Sequence, residues 1–234
     1  MRKKNSKSKT SYNQKKISLT CPKRVDETYI SFYLFTKRVI DILGAFIGLM
    51  LTLPIFVLIS VLYLFGENKG PVFFGQSRIG RDGNVFKMYK FRSMIVNAEM
   101  VLKNDKELYK KYLENSYKLE PEEDPRITKI GSFLRKTSLD ELPQLINVLK
   151  GDMSLVGPRP VIQEELKEYN NRLEEFLNVK PGVTGYWQIC GRSDVGYPER
   201  ADLEFYYIEH RGAKLDFTII IKTVVLVLNR KGAY

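Results

Sequence analysis

Apolar residues are spaced differently in successive stretches of the chain, and each spacing predicts an element. From Ile42 to Phe65 there is no charge at all over 24 residues. As a straight helix this segment would reach roughly 36 Å, against a bilayer hydrocarbon core of about 30 Å. Pro54 sits at its middle, removes a helix hydrogen bond and predicts a bend. Lys37 and Arg38 precede the segment, and Lys69, Arg78 and Arg81 follow it. Positive charge at both ends pulls both toward the cytoplasm. A helix that enters the membrane, turns at Pro54 and returns satisfies both pulls. An ordinary kinked spanning helix is the alternative. Asp41, at the entry edge, is placed at headgroup depth.

Beyond this segment the period shortens to two. Val72–Gln76 and Val85–Phe91 read as strands flanking a turn that contains Asp82-Gly83, which predicts a β-hairpin. On the second strand Phe86, Met88, Lys90 and Arg92 share one face. Its basic residues are placed to reach phosphates or headgroups, or simply to protect a sheet edge. Helical spacing then takes over. Ala98–Leu119 is charged and amphipathic and predicts a surface helix. The acidic stretch 120–126, with two prolines, reads as a solvated loop. Leu142, Leu145, Ile146 and Leu149 predict a helix stopped by Gly151. Val161–Val179 predicts a second amphipathic helix, ended by Lys180-Pro181-Gly182. Phe217–Leu228 is apolar but for Lys222, too short to span, and is either a core element or an interfacial helix.

Charge changes the picture at one end only. The net charge is +11, and residues 1–24 contain nine Lys or Arg and no acid, leaving the rest nearly balanced. The excess is thus a basic tail suited to an anionic surface or to solvent. With a near-neutral remainder and no recognised module, nucleic acid is not the expected partner. The two cysteines, Cys21 and Cys190, offer neither a disulfide framework nor zinc spacing. One histidine, His210, leaves little room for a histidine metal site or a Ser-His-Asp triad. Phosphate chemistry here must rest on carboxylates, Arg and Lys.

Those residues gather between Arg135 and Pro160. Asp140 and Glu141 stand side by side at an expected helix start. Ser138 and Glu141 also have capping-box spacing, and acids suit a helix N-terminus, so a structural explanation competes. Arg135 and Lys136 lie just upstream. Downstream, Pro158 and Pro160 bracket Arg159 and stiffen the backbone around it, as a bidentate phosphate clamp needs; a buried structural Arg is the alternative.

The run Arg135-Lys136-Thr137-Ser138-Leu139-Asp140-Glu141-Leu142-Pro143-Gln144-Leu145, followed by Leu155-Val156-Gly157-Pro158-Arg159-Pro160, resembles the bacterial sugar transferases, the monotopic phosphoglycosyltransferases. Phe86-Lys87-Met88-Tyr89-Lys90-Phe91-Arg92-Ser93-Met94 is similar to the family's hairpin. Lys180-Pro181-Gly182-Val183-Thr184-Gly185-Tyr186-Trp187-Gln188-Ile189-Cys190-Gly191-Arg192-Ser193 is similar to its Gly-rich loop, and Gly232-Ala233-Tyr234 fits its ending. The resemblance covers residues 33–234, in order.

The resemblance implies an α+β fold: a mainly helical catalytic domain (69–234) with a small β-hairpin, anchored by a re-entrant membrane helix (33–68). The charge distribution, outside the resemblance, adds a basic, flexible tail (1–32) in front. The resemblance further implies a transfer of sugar 1-phosphate from a UDP-sugar to polyprenyl phosphate at the cytoplasmic face of the bacterial plasma membrane, against membrane lipid, beginning exopolysaccharide or capsule synthesis. Asp140 resembles the nucleophile and Glu141 the ligand of a Mg²⁺ ion. Arg135, Arg159 and Arg192 resemble phosphate-holding groups, and Asp216 an acidic residue near the metal. With Lys90 on the hairpin they form the expected substrate-binding set. The competing readings are a basic-tailed membrane scaffold without catalysis and a metal-dependent nucleotide-sugar pyrophosphatase.

Overall fold

A computed structural model describes residues 27–115, 119, 123–191 and 195–229. The basic tail, Cys21, Arg192 and the Gly232-Ala233-Tyr234 ending lie outside the described residues. The chain begins with α1 (Glu27–Leu62), one helix that starts earlier than the expected anchor and runs unbroken through Pro54. Thr52 and Ser60 hydroxyls donate back to the Gly48 and Phe56 carbonyls, 2.7 Å away in each case, a contact that bends helices and satisfies polar groups in an apolar stretch.

The hairpin forms as expected, with a longer first strand. Here β1 (Phe73–Ile79) pairs antiparallel with β2 (Val85–Phe91). At the turn Asp82 (φ 57°) and Gly83 (φ 76°) are both left-handed, the conformation that Asp-Gly accommodates at low cost. The expected surface helix is two, α2 (Ala98–Asn104) and α3 (Lys106–Glu114). Asp105 divides them by accepting the Glu107 and Leu108 N–H groups at 3.1 and 3.0 Å, an N-cap that begins a new helix. The 120–126 stretch is not wholly solvated: Asp124 and Arg126 form a buried two-point ion pair, both contacts 2.7 Å.

Thr128 caps α4 (Lys129–Lys136). A short 3-10 turn (Leu139–Glu141) leads into α5 (Gln144–Lys150), which Gly151 ends with φ 91°. A three-residue strand, β3 (Ser154–Val156), follows. The expected helix over Val161–Val179 is a 3-10 segment, Gln163–Arg172, interrupted at Asn170, and then the short α6 (Leu173–Leu177). The interruption is local: Asn170 takes φ 45°, ψ −129°, outside the helical basin. Then come β4 (Gly182–Thr184), parallel to β3, α7 (Tyr186–Cys190), α8 (Glu199–His210) and α9 (Ala213–Leu228). The result is a mainly helical domain carrying a small hairpin, with one long apolar helix in front of it.

That helix is packed onto the domain along its length. Ala45 joins Met88, Val148 and Met153 in one apolar cluster. Ile59 and Tyr63 join Phe91 and Leu134 in another. Between these sites the opposite side bears exposed Phe46, Ile47, Met50, Leu51, Val57 and Leu58. Polar contacts reinforce the docking. Asp41 accepts the Ser154 hydroxyl and the Leu155 N–H at 3.0 and 2.9 Å. Arg38 donates to the Val148 and Leu149 carbonyls at the end of α5. The main core lies behind β3, where Ile79, Val156, Tyr169, Phe176, Phe205, Tyr207 and Ile219 meet.

Candidate active site

Fully buried Asn147, on α5, sets the site. Its Oδ1 accepts the Tyr89 N–H at 2.9 Å and its Nδ2 donates to the Lys87 carbonyl at 2.7 Å. One side chain thereby pairs with the free edge of β2 as a third strand would. Lys90, the next residue along β2, is fixed against the turn that precedes α5. On the far side the joint is Ser93: its carbonyl accepts the Thr128 N–H, and its hydroxyl accepts Arg135 Nε at 2.9 Å.

Into this frame the 3-10 turn brings Asp140 and Glu141. Lys90 Nζ lies 2.7 Å from Glu141 Oε1 and 3.9 Å from Asp140 Oδ2. Asp140 is buried, whereas Glu141 keeps about two-fifths of its side chain exposed. Burial pushes the Asp140 carboxyl up to about 6, with neighbouring Glu141 adding to the rise and Lys90 and Arg135 opposing it. Arg135 is itself pushed down by burial and held up by Asp140, so the two lie within electrostatic reach. The capping-box reading fails here. Ser138 is left-handed at φ 56° and its side chain caps nothing, while the Glu141 carboxylate is engaged by Lys90. A non-Gly residue held at positive φ carries strain of about 1 kcal/mol or more, and Ser138 sits two residues before Asp140, at the start of the turn that carries the carboxylate pair.

Of the expected residues, Lys90, Arg135, Asp140 and Glu141 are thus brought together. Arg159 is placed by another part of the fold, the loop after β3. Its N–H donates to Glu204 Oε1 at 3.1 Å, and its guanidinium lies 5.5 Å from the Trp187 ring centre. Asp216, at the start of α9, is engaged elsewhere: Tyr33, Lys37 and Tyr207 all donate to it at 2.7–2.9 Å. These contacts fasten α1 to α8 and α9. Arg92 on the hairpin is likewise occupied by the Pro71, Met94 and Asn68 carbonyls.

Sequence reasoning did not find Asn147, Ser93 or Glu204. Asn147 lies inside an apolar helical run, where a polar residue with no helical reason was the available signal. Glu204 lies on α8, distant in sequence from every motif. Glycines packed at backbone distance shape the Arg159 loop: a Cβ on Gly157, Gly182 or Gly185 would overlap backbone atoms of the facing segment.

Among the described residues no group of three or more His, Cys, Asp or Glu could hold a metal by protein ligands alone. A pair of adjacent carboxylates, one of them partly exposed, still fits Mg²⁺, which takes one or two carboxylates and completes its shell with substrate phosphates and water.

Comparison with known proteins places the chain in a family. The model of the family described as "Bacterial sugar transferase" matches residues 32–230. The chain is 45% identical over 204 residues to an undecaprenyl-phosphate galactose phosphotransferase of Salmonella typhimurium, covering 86% of this chain but 42% of that protein. It is 41% identical over 203 residues to the exopolysaccharide production protein ExoY of Sinorhizobium fredii, covering 85% and 88% of the two chains. It is 39% identical over 206 residues to the UDP-glucose:undecaprenyl-phosphate glucose-1-phosphate transferase of Escherichia coli K12, covering 85% and 41%. The chain therefore spans about two-fifths of the first and third of these relatives and most of the second. By that match, the chain belongs to the bacterial sugar transferase family.

Proposed function

We propose that this chain transfers a sugar 1-phosphate from a UDP-sugar to polyprenyl phosphate, through a covalent intermediate on Asp140. The observation that carries this reading is the Asp140–Glu141 pair, held on one turn beside Lys90 and within electrostatic reach of Arg135. The relatives' names, which include undecaprenyl-phosphate transferases for galactose and for glucose, support the reaction class and leave the sugar open.

In the first half-reaction an Asp140 carboxylate oxygen attacks the sugar-bearing phosphorus. The phosphorus–oxygen bond to UMP breaks, and UMP leaves with that electron pair. In the second, a phosphate oxygen of the polyprenyl phosphate attacks the same phosphorus. The carboxylate departs and the product is a polyprenyl-diphosphate sugar. Splitting the transfer in two lets one site serve a soluble donor and a lipid acceptor in turn. Asp140 must be ionised to attack; Lys90 and Arg135 favour that state, and Arg159 is the candidate to hold a phosphate of the donor. Glu141 would hold Mg²⁺, whose charge offsets that of the diphosphate. Arg192 is retained as a candidate on the family resemblance alone. Asp216, tied to Tyr33, Lys37 and Tyr207, is better read as an anchor of α1 than as a metal neighbour.

The membrane reading rests on the exposed apolar side of α1. Both its Arg38–Ala45 end and its Ile59–Tyr63 end contact the same domain, which favours a helix lying in one face of the bilayer. On this reading the domain works at the cytoplasmic side of the plasma membrane. The α9 helix, with Phe217, Ile221, Val224 and Val225 exposed, adds a second apolar surface in keeping with an interfacial helix.

Brief incubation with a UDP-sugar, without acceptor, tests the proposal. Intact mass should show a phosphosugar adduct with stoichiometric UMP, absent in Asp140→Asn. Continuous release of sugar phosphate with no adduct would instead identify a pyrophosphatase, and neither product would leave a scaffold.

A further inference from the structure

Two basic residues that flank the apolar segment in the sequence do not stay apart in the fold. Arg38 precedes the segment and Arg81 follows it, yet the charges of both act on Lys180, a partly buried residue between α6 and β4. Arg38 Nη2 and Lys180 Nζ stand over the bare backbone of Gly151. A Cβ there would lie 3.4 Å from the first and 3.7 Å from the second. Burial, followed by the charges of Arg38 and Arg81, pushes Lys180 down from the ordinary lysine range. The anchor, the hairpin turn and the segment before β4 thus bring three cations to the end of α5.

The protein's own acceptors near this cluster are already taken. Arg38 donates to the Val148 and Leu149 carbonyls at 2.6 and 3.0 Å, and the Asn147 carbonyl accepts the N–H groups of Gly151, Asp152 and Met153. The carboxylates that favour a charged Lys180 are Asp41 and Asp152, and both are engaged elsewhere. Asp41 accepts from Ser154 and Leu155. Asp152 lies 3.6 Å from Lys150 and accepts Asn147 Nδ2 at 3.1 Å. Arg81 pairs with Asp82 on the exposed turn at 3.2 Å. Among the described residues no carboxylate is within ion-pair range of Lys180. Like charges drawn together and partly desolvated oppose one another unless an anion joins them.

Position tells which anion. Phe35, Val39, Ile42 and Leu43, on the turns of α1 either side of Arg38, are all exposed. The Asp140 turn lies at the opposite end of α5, about 10 Å away along a seven-residue helix. We propose that Arg38 and Lys180, over Gly151 and with Arg81 beside them, hold the headgroup phosphate of an anionic phospholipid, at a site separate from the reacting groups. The proposal rests on the membrane reading above, which puts Arg38 where hydrocarbon gives way to headgroups. Arg38 has guanidinium N–H groups beyond those given to α5, and Lys180 has its ammonium. Basic pockets beside apolar helices on the cytoplasmic side take such headgroups. A zwitterionic lipid brings its own cation and gains less. The bound lipid joins α1 to the segment before β4 and fastens the anchor at the headgroup plane.

Native mass spectrometry of the full chain in dodecyl maltoside tests this, titrated with phosphatidylglycerol and, separately, with phosphatidylcholine of the same acyl chains. One phosphatidylglycerol should be retained, with an affinity about tenfold or more above that for phosphatidylcholine. Lys180→Gln should weaken it about fivefold, the contribution of one basic residue at an anionic surface. Lys222→Gln removes the same charge from exposed α9 and should leave it unchanged. Equal retention of the two lipids, an equal loss in Lys222→Gln, wild-type affinity in Lys180→Gln, or displacement by millimolar inorganic phosphate overturns the proposal. Should Lys180→Gln fail to fold, Arg81→Gln on the exposed turn decides: a smaller loss in the same direction is expected, and none overturns the seat. Flotation of the same preparation with vesicles keeps the two readings apart. A chain that floats with phosphatidylcholine vesicles yet retains no phosphatidylglycerol sinks the seat alone. A chain that floats with neither kind of vesicle ends the membrane reading and the seat with it.

Discussion

Lys90 Nζ sits 2.7 Å from Glu141 and 3.9 Å from Asp140, so one cation on the hairpin serves both carboxylates of the turn. It relieves the repulsion between them and, on the proposed reaction, faces the donor diphosphate. Lys90→Met keeps the stem and removes the charge. Adduct formation from a UDP-sugar is expected to slow by about 100-fold, the cost typical of losing one preorganised charge-stabilising group. Rapid-quench intact mass measures this, and an unchanged rate would reduce the ion pair to a structural one.

Gly157 governs where Arg159 stands. An added Cβ would press on the Lys180 carbonyl and come within 2.8 Å of the Gly182 nitrogen, both of them backbone atoms. Gly157→Ala should therefore lower Tm by about 3–10 °C, from an overpacking cost of about 1–3 kcal/mol. It should also raise KM for the donor more than it lowers kcat. Thermal denaturation and steady-state kinetics on one preparation check both.

Glu204 predicts a dependence of stability on pH. Its folded value near 7 stands above an ordinary value of 4.5. The folded state keeps this proton while the unfolded state releases it, so the contribution is complete below about 4.5 and is lost as pH rises to about 7. The loss is at most about 3 kcal/mol. Glu204→Gln stays neutral, accepts the Arg159 N–H and should flatten the decline. Urea denaturation from pH 4.5 to 8 tests it; parallel curves for the two proteins would refute the assignment.

Local signals made much of the fold legible, and distant ones were silent. Asp82-Gly83 and Gly151 adopt the left-handed conformations that their residue types announce. Asp105 was just as local, yet the apolar spacing of Leu108, Tyr109, Tyr112 and Leu113 hid the break it makes. Around Asn170 the apolar spacing reads as helix, but Asn170 itself leaves the helical basin (φ 45°, ψ −129°), a departure that spacing does not announce, while Tyr169 still stacks on Phe176 with ring centres 3.8 Å apart. The carboxylate pair was legible as a motif, but its support was not. Asn147 acts by satisfying a strand edge that only the folded chain creates, and Asp216 gave no sign that it would bind Tyr33, 183 residues away.

The direction of the anchor is open to chemistry that the chain already carries. Cys190 is exposed, so an impermeant maleimide should reach it without denaturation once the membrane is opened. With both ends of α1 on the cytoplasmic side, neither Cys21 nor Cys190 should be labelled in intact cells or spheroplasts. Labelling of Cys190 from outside while Cys21 stays protected would mean that α1 crosses.

Because Asp41 and Asp216 clamp α1 to β3, α8 and α9, the anchor behaves as a strut and not as a tether. A tethered enzyme samples many heights above its lipid; a strutted one has a single standing depth, set by side-chain packing. Removing α1 would strip Met88, Phe91, Leu134 and Val148 of part of their apolar cover and leave the Leu155 N–H without its Asp41 acceptor. On the proposed membrane reading, the bilayer is therefore a reference plane for the Asp140 turn, transmitted through the packing of α1 on β2, β3 and α5.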